Sequence, residues 1–386
     1  MVHAYRHTVA DISLDNISYN TQAVRNLLSS QTELMAVVKA AGYGHGAVEV
    51  ATTALAAGAT SLGVAIVEEA VELRRAGIGV PILILGHMPT ECAEQVVKLG
   101  LTATVFDRES AQALSTAGTR LGRKARVHVK VDTGMGRIGV RPVDALPFVE
   151  LISHLPSLLV EGIFTHFAAS DAVDLSGARA QLALFEGVCA RLEIKGYRLQ
   201  RHAANTAAIM ALPESHLDMV RLGIGLYGLY PAAHLKARVA LRPAMSLRSR
   251  LSYVKWVADG TPIGYGGTYV AKGQRLIATV PVGYADGYSR RLSNQGYALL
   301  HGRKVPLIGR VCMDQCMFDI TDSPAVAGDE VVLFGSQGLS EVSVDEVALL
   351  MGTINYEVTC LIGHRVPRLY WRHRQLISTR SFLSRG

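Results

Sequence analysis

One lysine in this sequence stands where an amine is chemically useful. Residues 35–46 read MAVVKAAGYGHG, an apolar run closed by Lys39 and then broken by three glycines. A run of this kind reads as a buried strand ending in a glycine loop. Burial disfavours the charged form of a lysine, and a neutral amine is a nucleophile able to form a Schiff base with a carbonyl. Tyr43 and His45 follow in the loop, where their polar tips are placed to meet a ligand. The same spacing also suits a lysine that snorkels its ammonium to water, so this stretch alone leaves both roles open.

Further residues with chemical capacity recur along the chain. Lys130 lies in HVKVDTGMGRIG together with Arg137, and His166 lies in GIFTHFAAS. Asn205 and Thr206 lie in HAANTAA, and Arg221 opens RLGIG. Taken singly each has an ordinary explanation. A lone histidine is often a satisfied core residue, and a lone arginine often makes a surface ion pair. Their order along the chain carries the weight.

That order is set by the elements beneath it. Apolar strand candidates fall at residues 34–39, 62–66, 82–85, 102–106, 127–131, 162–166, 199–203 and 219–222. Helical spacing appears at residues 17–29, 68–76, 91–99 and 182–194. Strands alternating with helices imply a parallel sheet, and eight such units imply an N-terminal (β/α)8, TIM-like barrel. In such a barrel chemistry collects at the C-terminal strand ends. Lys39, Lys130, His166, Asn205, Thr206 and Arg221 all fall at or just beyond such ends. The loops after strands seven and eight often bind phosphate, and here they offer a hydroxyl and glycine-interrupted backbone N–H groups. A lysine at one strand end and a phosphate cradle across the mouth suit a phosphorylated aldehyde cofactor, pyridoxal 5'-phosphate.

After about residue 240 the texture changes to short strand candidates, at 245–257, 276–282, 297–303, 304–308, 317–320 and 330–334, with turn signals between several of them. This predicts a barrel over residues 1–240 and a mostly-β domain over 241–386. The first strand, about 8–14, is expected to join the second domain. One helix is expected at 344–351.

Composition sets the outer bounds. The chain has 386 residues, 49% of them hydrophobic and 18% charged, which allows large cores and argues against disorder. No apolar run is long enough to span a bilayer, and the first residues lack a signal-peptide pattern, so a cytoplasmic protein is expected. Six of the net +7 charges sit in residues 365–386, which leaves +1 elsewhere. This reads as a solvated basic tail, without a motif for nucleic acid. The five cysteines are odd in number and form no CxxC pair, which argues against a disulfide framework or a zinc site. No metal is expected.

The sequence resembles the fold-type III alanine racemases over nearly its whole length. The resemblance is carried by AVVKAAGYGHG, VDTGMGRIG, HAANTAA, RLGIGLYG, GYGGTY, VGYADGY, RVCMDQ and TINYEVTC, all in one order. It implies that Lys39 holds pyridoxal phosphate and serves as one catalytic base. Tyr265, otherwise readable as a strand-end aromatic, would be the second base, supplied by the other subunit of a homodimer. It implies that Arg221 faces the pyridine nitrogen, and that Tyr43, Thr206, Gly223, Ile224 and Tyr356 hold the phosphate with Asn205 beside them. Arg137 and Met313 of the partner subunit would take the substrate carboxylate. His166 would bridge Tyr265 and Arg221, while Asp314 and Tyr284 would support the site. Lys130 matches a lysine that the family carbamylates to position Arg137. The implied activity is interconversion of L- and D-alanine for peptidoglycan, with a racemase of serine or another small amino acid as the alternative. Thr206 departs from the pattern, because the family usually has serine there; the hydroxyl is kept and a methyl added.

Overall fold

The computed structural model describes residues 5–382, which part into two compact units. One holds residues 16–42 and 47–242, and the other holds residues 5–15, Tyr43–Gly46 and residues 243–382.

In the first unit, eight parallel strands close into a barrel. In chain order, after β1 (Val9–Ser13), these are β2 (Glu33–Val37), β3 (Ser61–Val64), β4 (Ile82–Ile84), β5 (Thr102–Val105), β6 (Ala125–Lys130), β7 (Leu158–Phe164), β8 (Gln200–His202) and β9 (Met219–Leu222), with β9 pairing back onto β2. Each falls on an expected apolar run to within a few residues. β3, β4, β5 and β9 are buried at every position, because helices cover a parallel barrel outside and side chains fill it inside. Met35, Leu83 and Met219 pack together as an apolar layer. Arg221 follows Met219 on the same face of β9, and Lys130 follows His128 on the same face of β6, since side chains alternate along a strand. A polar layer thus begins one step toward the strand C-termini. Gly162 makes room for it: a Cβ there would lie 2.6 Å from the His128 ring.

The second unit is mostly β. β10 (Met245–Arg250), β11 (Tyr253–Val257), β12 (Pro262–Ile263), β13 (Tyr269–Val270), β14 (Arg275–Val280), β15 (Tyr297–Leu300), β16 (Arg303–Ile308), β17 (Cys316–Asp319), β18 (Glu330–Gln337), β19 (Ser340–Val342), β20 (Arg368–Arg372) and β21 (Gln375–Arg380) follow. All but the β12–β13 pair join one sheet that also takes in β1, antiparallel to β10 and parallel to β20. The span 245–257, read as one strand, is two, because the chain turns at Leu251–Ser252. The helix Val344–Met351 is as expected, and a second, Asn355–Leu361, follows it. The basic tail is largely the hairpin β20–β21, with Arg372 and Arg374 exposed as expected of a solvated face. Arg368 within it is buried and donates to the carbonyls of Gly44 (3.0 Å), Val366 (2.7 Å), Ile362 and Gly363.

Candidate active site

Lys39 is half-buried, two residues past the end of β2. The chain beyond it enters a left-handed turn. Ala40, Ala41, Gly42 and Tyr43 have φ of 51°, 52°, 63° and 51°. Three of these are not glycine, and each such residue costs about 1–2 kcal/mol, so the surroundings must enforce the turn. Glu69 braces it: one carboxylate oxygen accepts from the Ala40 N–H at 2.6 Å and the other from the Ala65 N–H at 2.7 Å. Backbone strain of this kind clusters at functional sites.

Arg221 is the centre of the polar layer. It is buried, and its guanidinium donates to His202 Nδ1 (2.9 Å), His166 Nδ1 (3.2 Å), and the carbonyls of Thr165 (2.9 Å) and Ala203 (2.8 Å). Guanidinium has donors only, so both imidazole Nδ1 atoms must be unprotonated acceptors. His202 therefore carries its proton on Nε2, which donates to His128 Nδ1 at 2.9 Å. One arginine thus fixes the tautomers of three histidines. Burial and the Arg221 charge keep all three neutral. His128 is lowered to about 4, His166 to about 2, and His202 well below the usual imidazole range. Desolvation pulls Arg221 itself down to about 9, which leaves it charged at neutral pH. Its four partners are all uncharged. The Phe164 ring stacks on His202 at 4.6 Å and lies under the Lys130 amine at 4.5 Å.

Lys130 is buried, and desolvation with the Arg221 and Arg137 charges drives its pKa well below the ordinary lysine value, against the opposing pull of Asp132. Asp132 shapes the loop that presents Arg137. Its Oδ1 accepts from the N–H groups of Gly134 (3.0 Å), Met135 (2.9 Å) and Gly136 (3.1 Å). Gln181 donates to Thr133 Oγ1 and to the His166 carbonyl, both at 3.3 Å. After burial, the charges of Arg221, Lys130, Arg137 and Lys39 all bear on His166 and lower its pKa.

The two loops expected to form a phosphate cradle lie in the same unit and bond to each other. Thr206 Oγ1 accepts from Gly223 N (2.9 Å) and more weakly from Gly225 N (3.4 Å), which leaves its own O–H to donate. Asn205 caps the turn by accepting from Ala208 N (3.0 Å) and Ser170 Oγ (2.8 Å). Ile224 is buried in the loop between. A Cβ on Gly225 would lie 2.8 Å from the Thr206 methyl, so the backbone comes close here because the residue is glycine.

In the β unit, the Tyr43 and Tyr356 rings meet at 6.2 Å. A Cβ on Gly44 would lie 2.0 Å from the Thr359 carbonyl, which fixes the Tyr43 loop against the Tyr356 helix. Tyr265, Tyr284 and Met313 are 69%, 44% and 52% exposed. Tyr284 N donates to the Cys312 carbonyl and Ala285 N to the Met313 carbonyl, both at 3.0 Å, so these two loops are stitched together. Asp314 accepts from Arg365 at 2.7 Å. His128, His202, Gln181 and Asp132 were not anticipated from sequence. For His128 the signal was its position two residues before Lys130, on the same strand face.

The chain matches the family model "Alanine racemase, N-terminal domain" over residues 12–231 and "Alanine racemase, C-terminal domain" over residues 244–370. It is 49% identical to an alanine racemase of Desulfovibrio desulfuricans over 96% of this chain and all of that protein. Among solved structures, an alanine racemase of Clostridium difficile superposes with a TM-score of 0.94 at 40% identity, covering 99% of this chain and all of that one. That of Bacillus anthracis with bound L-Ala-P gives 0.94 at 37% identity, covering 99% of each.

Proposed function

The chain belongs to the alanine racemase family and is an amino-acid racemase, and on that premise we propose that it interconverts L- and D-alanine with Lys39 and Tyr265 as its two bases. In this reading it is a cytoplasmic homodimer that supplies D-alanine for peptidoglycan. Among the described residues no helix is long and apolar enough to cross a membrane. The observation that carries the reading is Arg221, a buried cation held by four uncharged acceptors beside a strand-end lysine and a hydroxyl–glycine cradle.

These residues fit pyridoxal phosphate. Thr206, Gly223, Ile224, Tyr43 and Tyr356 would hold its phosphate, Asn205 would support that loop, and Lys39 would hold its carbonyl carbon through the amine. When bound, the group supplies the electron sink that makes an α-proton removable. The chain's residues do the rest. Lys39 Nζ and the Tyr265 hydroxyl exchange protons with opposite faces of the substrate α-carbon, each acting as acid in one direction and base in the other. Tyr265 comes from the partner, which accords with its exposure. Arg137 and Met313 of the partner subunit take the substrate carboxylate, Asp314 and Tyr284 support them, and His166 links Arg221 to Tyr265. Arg221, charged and bonded to neutral groups, disfavours a proton on the pyridine nitrogen it would face. That limits charge build-up there and suppresses side reactions. Lys130, whose amine burial and the Arg221 and Arg137 charges push toward its neutral form, is suited to add carbon dioxide, release the displaced amine proton and become the anion that positions Arg137. An intact mass free of that increment in bicarbonate buffer would remove this part of the reading.

The deciding experiment incubates L-alanine with the holoenzyme in heavy water, following optical rotation and α-deuteration together. Loss of rotation with deuterium gain is expected, reduced at least ~10³-fold in Lys39→Ala. A protein that binds the cofactor and exchanges serine but not alanine would move the substrate assignment.

A further inference from the structure

Within the β unit one buried carboxylate organises several loops. Asp286 is fully buried. Arg6 grips it with both terminal nitrogens, each at 2.5 Å, and Arg365 Nε stands 3.4 Å away. The Asp286 carboxylate also accepts from Gly283 N at 3.1 Å, closing the turn that carries Tyr284. The approach of that turn to its neighbours leaves no slack. A Cβ on Gly283 would lie 2.3 Å from the Cys312 and Met313 carbonyls, and one on Gly287 would lie 2.0 Å from the Leu361 carbonyl. The Asp286 carbonyl accepts from Gly363 N at 2.9 Å. Arg6 and Thr8 both donate to the Pro281 carbonyl, at 2.9 and 2.7 Å, where the chain enters the turn. Arg365 then carries the network outward to Asp314 at 2.7 Å.

We propose that Arg6 is a positioning residue for the substrate site: its two-pronged grip on Asp286, relayed by Arg365 to Asp314, holds the loops of Tyr284 and Met313 in one register. The proposal rests on the reading of Met313 given above. The last link is informative. Asp314 and Arg365 are both exposed, and an exposed pair contributes little to stability. Stability alone gives no reason for Arg365 to bridge a buried node to a surface acid beside Met313. A paired fork fixes orientation as well as distance, which a lysine cannot reproduce.

The test uses the full-length holoenzyme and reads KM for L-alanine, kcat and thermal midpoint. Arg6→Ala should raise KM roughly tenfold with kcat changed far less, well within the ~100-fold that a 1 Å misplacement can cost. It also strands a buried carboxylate and will lower the midpoint. The double variant Arg6→Ala/Asp286→Asn removes that charge; it should recover much of the midpoint yet keep the raised KM. Arg6→Lys should give an intermediate KM. A double variant with native midpoint and native KM overturns the proposal. Met313→Ala separates the two layers. A raised KM there, beside an unmoved KM in the double variant, overturns the tether alone. An unmoved KM in Met313→Ala overturns the Met313 reading and the tether with it.

Discussion

The two units differ in where their chemically capable side chains stand: buried in the barrel, exposed in the β unit. In the barrel, Arg221 and Lys130 are buried with no carboxylate among the described residues bonded to either, and neutral imidazoles and carbonyls surround the arginine. Desolvation sets the titration of every group in that layer. In the β unit a buried carboxylate, Asp286, is paired with Arg6, and a buried arginine, Arg368, donates to backbone carbonyls, while Tyr265, Tyr284 and Met313 stand exposed. A dry cationic layer is ready to act on an anionic ligand as it stands. Exposed tyrosine and methionine side chains act only when a second surface covers them, which is the physical content of the proposed shared site.

The comparison is broken most forcefully at Arg221. Arg221→Glu puts an acid where four acceptors now face a donor. Racemisation should fall by the ~10²–10³-fold that loss of one preorganised electrostatic group typically costs. Cofactor loss by side transamination should rise relative to racemisation, because a carboxylate favours the pyridine proton. Measured cofactor loss per turnover equal to that of the wild type would show that the neutral setting of Arg221 does not govern the outcome.

Acid exposes the same contrast in stability. His128, His166 and His202 have folded pKa values depressed below the unfolded ~6.5. Above that value neither state holds the protons and nothing is lost. As pH falls below it, the unfolded chain takes up protons that the fold refuses, so stability drops by up to about 1.4 kcal/mol per histidine per pH unit. For His128 the decline ends near its folded value of about 4. Chemical denaturation between pH 7 and 5 should therefore show a steep fall, which His128→Gln should reduce. A flat profile would mean the polar layer is wetter than its burial implies.

The barrel was legible because its strands are buried on both faces and read as apolar runs bounded by glycine. Lys39, Lys130 and Arg221 were legible as charges breaking those runs. His202 was not, since nothing in HAANTAA distinguishes a side chain that bonds Arg221 from one that fills space. The β unit was harder for a local reason. β20 and β21 join through His373 and Arg374, with φ of 50° and 61°. Positive φ at both central positions of a two-residue hairpin normally announces itself as Asn-Gly, and here it is written in two residues that look like a basic tail. The break between β10 and β11 likewise carries no glycine or proline.

The smallest effect sharpens the picture of the cradle. Thr206 stands where the resembling family usually has serine, and its methyl lies over Gly225, where a Cβ would come within 2.8 Å. Thr206→Ser removes one buried methyl and should cost about 0.5–1 kcal/mol with cofactor affinity nearly unchanged, because the hydroxyl that accepts from Gly223 N remains. Gly225→Ala should be poorly tolerated beside threonine, since the new Cβ meets a methyl stiffened by β-branching. Beside serine the nearest remaining contact is the flexible Leu222 Cδ1 at 3.0 Å. The two substitutions should therefore couple favourably by about 1 kcal/mol in a double-mutant cycle read by denaturant midpoint. Additive effects would mean that the loop relaxes away from Thr206 and that the close approach at Gly225 is not what fixes the Gly223 N–H.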